Sequence, residues 1–407
     1  MANSLLTINM ITREAIKLFR NSNAFIMEID RQYDDSFAKT GAKIGTTLRI
    51  RLPNDYTVRS GPAAQVQDTA EVNTTLALAT QKGVDISFNS VDRTMSLDDY
   101  SSRVLAPAVN NLAGAVAVDI MSGVEGGAAN LVGTVSGGAP ANPTVANVLG
   151  ARASLMNNSA PSGNRKIVTS PGSNANFVQL LAGYFNPQPS ISKQYLSGKM
   201  QEALGFDWME DQTVINHTTG TVTQGANTVN GANQSGSTVT VNALNGTLTQ
   251  GDIITFAGVY GVNRITKATQ ATLRQFVVTA PVASGATSIP IYPALVPPQG
   301  GNPVQYQTVA SSPANNAQVN LALGLSASQT YTKNLAFVPE AITMATADLE
   351  LPKGVHEAYR EAFDDISMRM VTAYNIATDQ FITRLDILYG YLYIRPEWAV
   401  VLLDIPS

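Results

Sequence analysis

The stretch from Ser96 to Val124 constrains this chain more than any other. Leu97, Tyr100, Val104, Leu105, Val109, Leu112, Val116, Ile120 and Val124 recur there at helical spacing, which predicts one long helix. Ser96 is placed to cap it, and Asp99 three residues on completes a capping-box pattern. Asp98 and Asp99 also put negative charge in the first turn, where the helix dipole favours it. At ~1.5 Å of rise per residue the element is about 40 Å long. Pro107 falls inside it and is expected to kink it, because the ring removes a hydrogen bond and crowds the preceding turn. Between Leu112 and Val118 nearly every position is apolar or small. Such a helix must be covered on several faces, so it reads as the core element around which the rest is built.

What precedes it reads as outward-reaching. Residues 1–40 read as an arm rather than a compact unit, with Thr12 capping a short helix to about Asn21. Ile11, Ala15, Leu18 and Phe19 share one face of it, and Arg13, Lys17 and Arg20 form a basic stripe on another. The stripe is either a solvated face or a contact for an acidic partner or for phosphates. Residues 41–95 turn extended. Thr47 to Leu52 alternates polar and apolar, as do Leu76 to Leu78 and Val84 to Phe88. Between them Pro53 to Ala70 holds Pro53, Gly61 and Pro62, few large apolar groups, and the charges Asp55, Arg59 and Asp68. A loop of that length cannot bury itself, which predicts a long hairpin whose tip leaves the body.

After the helix, residues 126–143 read as a small-residue loop that ends the 96–143 segment. Thr144 then caps a helix with Val145, Val148, Leu149, Leu155 and Met156 on one side. Arg165 to Pro171 reads as a buried strand, followed by a helix carrying Phe177, Leu180 and Leu181. Residues 144–217 are thus a small α/β unit. Composition shifts near His217. From Thr218 to Thr332 the charged residues are Asp252, Arg264, Lys267 and Arg274 alone, and short Thr/Val/Ile strands alternate with Gly and Asn turns about every ten residues. That pattern predicts an all-β barrel or sandwich of domain size, inserted at 218–332. Helical and mixed signals resume at Leu335. Strands are expected at Ile366 to Tyr374, at Phe381 to Ile394 with a bend or bulge at Gly390, and at Trp398 to Leu403. Residues 333–407 should supply the remainder of the α/β unit begun at 144 and the sheet on which the long helix lies. The fold class is α+β.

Chemistry is scarce. With no cysteine in 407 residues, disulfides, zinc–thiolate sites and thiol nucleophiles are excluded. His217 and His356 are isolated in sequence and are expected on the surface. Neither a phosphate-cradling Gly-rich loop nor a nucleophile elbow occurs. The carboxylate pairs Asp34–Asp35, Asp98–Asp99, Glu210–Asp211 and Asp364–Asp365 are adjacent, and adjacency does not set the separation that paired acid/base catalysis requires. A formal charge of −4 gives no global field for nucleic acid. No secretory signal or membrane span is evident, which predicts folding in a cytoplasm. No catalytic, cofactor or metal residue is assigned.

Several segments nevertheless form a familiar set. Met1 to Ile8, Arg31-Gln32-Tyr33-Asp34-Asp35-Ser36-Phe37 and Gly41 to Arg51 are similar to the major coat protein of short-tailed double-stranded-DNA bacteriophages. So are Leu97-Asp98-Asp99-Tyr100, Arg103 to Val109, Gly205-Phe206-Asp207-Trp208, Gly251-Asp252-Ile253-Ile254-Thr255, Arg384 to Gly390 and Arg395-Pro396-Glu397. The likeness runs the whole length and resembles the Salmonella-phage branch that carries an inserted domain. The resemblance implies the tailed-phage capsid fold, with an N-terminal arm, extended loop, spine helix in a peripheral domain, and axial domain. It implies no enzyme activity and no cofactor. The expected partners are other copies of the chain in pentamers and hexamers, a scaffolding protein, a portal protein, and packaged DNA through non-specific contact at most, with no membrane. The expected location is the virion, assembled in the bacterial cytoplasm.

Arg49, Arg51, Asp55, Arg59 and Asp68 are the candidate subunit contacts, because charge on a protruding hairpin cannot serve a core. Arg13, Lys17 and Arg20 are the candidate scaffold contact. A protein nanocompartment of the same fold is the nearest alternative, and a secreted β-rich glycosidase or adhesin is one from another class.

Overall fold

A computed structural model describes residues 8–31, 47–52, 56, 58, 61–64, 66, 73–89, 104–181, 202–298, 304–378 and 380–406. The chain divides into two compact units. One comprises Met1–Leu52, Asn73–Ile120 and Ile342–Ile394, the other Pro53–Val72, Met121–Ala341 and Arg395–Ser407.

The first unit is built on a five-stranded antiparallel sheet. Gln380–Tyr393 runs through it and pairs with Ile366–Asn375, Thr80–Asn89 and Ile342–Ala347, while Glu357–Phe363 forms a hairpin with Ile366–Asn375. The helix Ile8–Ser22 packs on that hairpin and buries Ala15, Ile16 and Phe19 completely. This helix is therefore a packed layer on the sheet, while residues 1–7 and 32–40 of the predicted arm lie outside the described residues. Thr12 is not its cap: it lies inside the helix, buried, with its hydroxyl 3.6 Å from the Met370 sulfur. After a second short helix, Ala24–Glu28, Asp30 adds a parallel bridge to Thr343.

The long helix is described from a π-type turn at Val104–Leu105, followed by α-helix over Ala106–Ser122 and a separate short helix at Val124–Gly127. Ser96 and Asp99 lie outside the described residues. Pro107 follows that π-type turn directly, and Arg103, the residue whose carbonyl its missing N–H would leave without a helical donor, lies outside the described residues. The predicted stripe is the buried one: Leu105, Val109, Leu112, Val116, Ile120 and Val124 are all in the core. Val118, by contrast, is exposed. Strand Gln380–Tyr393 holds the helix through polar tips, since the Tyr389 hydroxyl donates to Asp119 (2.5 Å) and that of Tyr393 to the Ile120 carbonyl (3.0 Å).

Gly390 does not bend that strand. Pairing continues through it, with Gly390 opposite Ala345. A Cβ there would stand 2.1 Å from the Ala77 carbonyl oxygen, so glycine is required by close backbone approach of the hairpin Thr47–Arg51/Asn73–Ala77. Ile50, Leu76 and Leu78 of that hairpin pack on Ala345 and Ala347.

Among the described residues the second unit holds two large sheets and a small two-stranded one. The first is seven-stranded and mixed. Ala399–Asp404 and Thr330–Phe337 lie side by side within it, flanked by Asn130–Val132 on one side and by Lys166–Thr169 and Phe206–Glu210 on the other. The final strand thus belongs here and not to the sheet under the long helix. The 126–143 stretch is no loop, for it contains Asn130–Val132 and the hairpin Thr134–Ser136/Ala139–Ala141. Helical signal after Leu335 also gives way, because Thr330–Phe337 and Ile342–Ala347 are strands. Helices Val145–Asn157 and Pro171–Leu181 bring Val148, Ala151, Leu155 and Phe177 against Ile167, Trp208, Ala336 and Val400. Thr144 caps the first with a complete capping box to Asn147. Leu149 and Met156 are exposed and leave the face predicted for them.

The second sheet is six-stranded and antiparallel, in the order Asn227–Thr228, Gln318–Leu321, Ile253–Val262, Thr269–Val278, Ser288–Leu295, Gly236–Thr240. Its edges meet. Val229 bridges Val241, the Asn230 amide donates to the Thr240 carbonyl at 3.0 Å, and the Asn242 amide donates to the Thr228 carbonyl at 2.9 Å. The sheet therefore curls into a barrel-like ring, which removes exposed edges. Phe256 and Phe276, ring centroids 5.3 Å apart, sit in its core with Val239, Ile254, Ile289 and Val319.

Candidate functional site

Strand geometry fixes where the hairpin charges go. In Thr47–Arg51 successive side chains alternate faces, so Ile50 is buried while Arg49 and Arg51 point outward and are exposed. Asp55, Arg59 and Asp68 lie outside the described residues. Among the described residues of that hairpin, the conspicuous exposures are apolar: Val58 and Val66 are each 95% exposed and Tyr56 is 62% exposed. Sequence reasoning looked for charge and passed over these three. Valine on a segment with no core is itself a signal, since nothing in the isolated chain shields it.

The basic stripe on the first helix is partly engaged within the chain. Arg13 Nε pairs with Glu361 Oε1 at 3.0 Å, and Arg20 Nε with Asp364 Oδ2 at 2.6 Å. Asp364 also takes Arg31 at 3.1 Å. Asp364 and Asp365 have φ of 52° and 61° and form the two-residue turn between Glu357–Phe363 and Ile366–Asn375, where left-handed residues suit the strand twist. That pair is thus a turn held by arginine rather than a freely solvated one. Lys17 is exposed between the two arginines.

The interior holds what the sequence did not reveal. His217 is buried, not a surface residue. Its Nδ1 lies 2.9 Å from Glu125 Oε1 and its Nε2 lies 2.9 Å from Asp252 Oδ1. Asp252 also accepts from the amides of Thr249 (2.8 Å) and Gly220 (3.1 Å). Lys333, buried beside them, donates to the Gly251 carbonyl at 3.0 Å and stands 4.0 Å from Glu125. Burial pushes the Lys333 ammonium down to about 8, against the pull of Glu125 and Asp252. Burial also pushes the Glu125 carboxyl up, but the His217 hydrogen bond and the charges of Lys333 and His217 outweigh it and leave that carboxyl below its ordinary value. Gly251, at φ 92°, fits because a Cβ would meet Glu125 and Lys333 at 2.9 Å.

Two further carboxylates act as hubs. Asp386, fully buried, takes Arg369 at 2.6 Å and Arg384 at 2.7 Å. Glu397 pairs with Arg264 and, at 3.3 Å, with Arg395, and accepts from the Tyr292 hydroxyl at 3.4 Å. Burial raises Glu397, yet Arg264 and Arg395 bring it below the usual carboxylate range. All four charged residues between Thr218 and Thr332 are accounted for in this way. Asp252 meets His217, Arg264 meets Glu397, Lys267 donates to the Gln305 carbonyl at 2.7 Å, and Arg274 is held below its ordinary value by burial, within the field of Tyr292 and Glu397.

The contacts of Asp252, Asp386 and Glu397 are with donors of the chain itself. Among the described residues no cluster of three or more His, Asp or Glu is arranged to hold a metal ion, and no helix is long and apolar enough to cross a membrane. What remains open to a partner is the outer surface.

Comparison with known proteins adds the following. The family described as P22 coat protein, gene protein 5, matches residues 8–403. No curated protein matches the chain. Among solved structures, the Mycobacterium phage Che8 chain is 12% identical over 93% of this chain and 90% of that one, with a TM-score of 0.47. The capsid of Ralstonia phage GP4 is 8% identical over 93% and 87%, with a TM-score of 0.43. The CUS-3 coat protein I-domain is 26% identical over 25% of this chain and 98% of that one, with a TM-score of 0.20.

Proposed function

The chain belongs to the P22 coat protein family, and from that premise we propose how its copies meet. The family makes it the major coat protein of a tailed double-stranded-DNA phage. It is a structural protein rather than an enzyme, it self-associates, and it is located in the virion shell. In our reading the copies gather as pentamers and hexamers of an icosahedral shell, with a scaffolding protein guiding closure and a portal protein at one vertex.

The hairpin between Leu52 and Asn73 is the proposed subunit contact, with Arg49, Arg51, Asp55, Arg59 and Asp68 supplying charge. The observation that carries this reading is the 95% exposure of Val58 and Val66. Fully burying each valine on a neighbour is worth about 1.5–3 kcal/mol. Repetition around closed rings then turns small increments into a stable shell. The segment 218–332 is the proposed insertion, and 144–217 with part of 333–407 the proposed axial domain.

The test is assembly of the purified protein followed by electron microscopy and sedimentation. Arg59→Glu, and separately the double change Val58→Asp with Val66→Asp, should abolish closed shells while circular dichroism and melting of the monomer stay as in wild type. Normal shells from both variants would remove the hairpin as the contact.

Arg13, Lys17 and Arg20 form the proposed scaffold contact. Because Arg13 and Arg20 share their charge with Glu361 and Asp364, Lys17 is the member expected to dominate. Lys17→Glu should weaken co-sedimentation with the scaffolding protein, and unchanged binding would reduce the stripe to a solvated face. Packaged DNA is held by enclosure, since a net charge of −4 offers no attraction to phosphate.

A further inference from the structure

Arg274 differs from the other charged residues between Thr218 and Thr332. Asp252, Arg264 and Lys267 each have a partner within hydrogen-bond distance. Arg274 lies on Thr269–Val278, and its stem passes beside Gly261 of the neighbouring strand, where a Cβ would stand 3.7 Å from Arg274 Cδ. Its Nε is buried with no hydrogen-bond partner. Among the described residues no carboxylate lies within ion-pair distance of its guanidinium.

The groups around it make that isolation more costly. Arg264 comes from the turn between Ile253–Val262 and Thr269–Val278, Tyr292 from Ser288–Leu295, and Arg395 and Glu397 from the segment that leads into Ala399–Asp404. Glu397 is the carboxylate whose charge reaches Arg274, while the charge of Arg264 opposes it. The oxygens of Glu397 are already engaged. Oε1 takes Arg264 and, at 3.3 Å, Arg395, and Oε2 accepts from the Tyr292 hydroxyl at 3.4 Å. Burial and the Glu397 charge raise the Tyr292 pKa and keep the phenol neutral, so it adds no second anion. Three guanidinium groups thus share a single carboxylate. The site is shielded and still reachable, since the Arg264, Glu397 and Arg395 side chains are 26%, 15% and 12% exposed.

A guanidinium carries five N–H donors in a fixed fork, and native structures rarely leave such donors buried and unspent. Their natural complement is an oxyanion, which meets the fork at two points and brings compensating charge. We propose that Arg274, with Arg264 and Arg395, forms a binding site for inorganic phosphate beside Glu397. Arg274 is the anchor, because its donors are uncommitted. Arg264 and Arg395 add charge and the N–H groups that Glu397 does not occupy. Phosphate held there is gripped by the six-stranded sheet and by the segment leading into the last strand of the seven-stranded sheet, so it fastens the two together.

The test is equilibrium dialysis of the purified full-length protein against labelled phosphate, at fixed pH and with ionic strength held constant by sodium chloride. Wild type should take up phosphate at a saturable site. Arg274→Gln should weaken that uptake about tenfold or more, as expected for loss of a charge-assisted contact. Lys353→Gln removes an exposed cation outside the cluster and should bind as wild type. No saturable uptake, or an equal loss in both variants, would overturn the proposal. Amide hydrogen exchange of the wild type keeps the test decisive if Arg274→Gln does not fold. Replacing chloride by phosphate should slow exchange several-fold in peptides from 269–278 and 395–398. Protection confined to other segments, or no protection, would contradict the site.

Discussion

A charged residue in an almost uncharged stretch has to be explained, and at this scale Asp252 is the informative one. It was legible as the only acid between Thr218 and Thr332, and it appears in the Gly251–Thr255 segment that resembles the coat family. Its partner was not legible, because His217 and Glu125 are brought to it by tertiary pairing and not by spacing. Lys333 shares that cluster and gives a signed prediction. Its folded-state pKa of about 8 is below the ordinary 10.5, so the unfolded chain holds the proton more tightly. Stability should therefore rise as pH goes from about 8 to the unfolded value, by up to about 3 kcal/mol. Urea unfolding of wild type and Lys333→Met should show this rise in the first and its absence in the second. Parallel curves for the two proteins would mean that Lys333 does not titrate there.

Elements divide by how much of their signal is local. The stripe Leu105, Val109, Leu112, Val116, Ile120 is periodic in sequence and buried in the structure, because a helix carries its own geometry. The Thr144 cap was equally local. The strands around Leu335 and Ile342 are buried on both faces, and such a run lacks the in-and-out alternation by which spacing marks a strand. Gly390 reads in sequence as a bend or bulge, whereas the requirement for glycine comes from the Ala77 carbonyl, hundreds of residues away. Gly390→Ala should lower stability by about 1–3 kcal/mol by overpacking the hairpin against the sheet. A melting temperature equal to wild type would show that the hairpin yields at no cost. The N-terminal helix teaches the same lesson from the other side. Its amphipathic face is readable, but the hairpin Glu357–Asn375 that receives it cannot be read from spacing.

For the whole molecule, the barrel-like sheet follows from turn-punctuated strands in a segment nearly devoid of charge, where Asp252 and Arg264 bond outside the segment and Lys267 bonds within it. The absence of a catalytic constellation in the sequence agrees with a structural coat protein, whose function is carried by surfaces that are incomplete in one copy. Exposed valines on a hairpin and exposed arginines on Thr47–Arg51 are features that gain meaning in an assembly. The most direct test is electron microscopy of the purified protein, alone and with its scaffolding protein. Closed shells tens of nanometres across, with hexameric and pentameric clusters, are the predicted result. A particle that stays monomeric under every assembly condition would contradict the account.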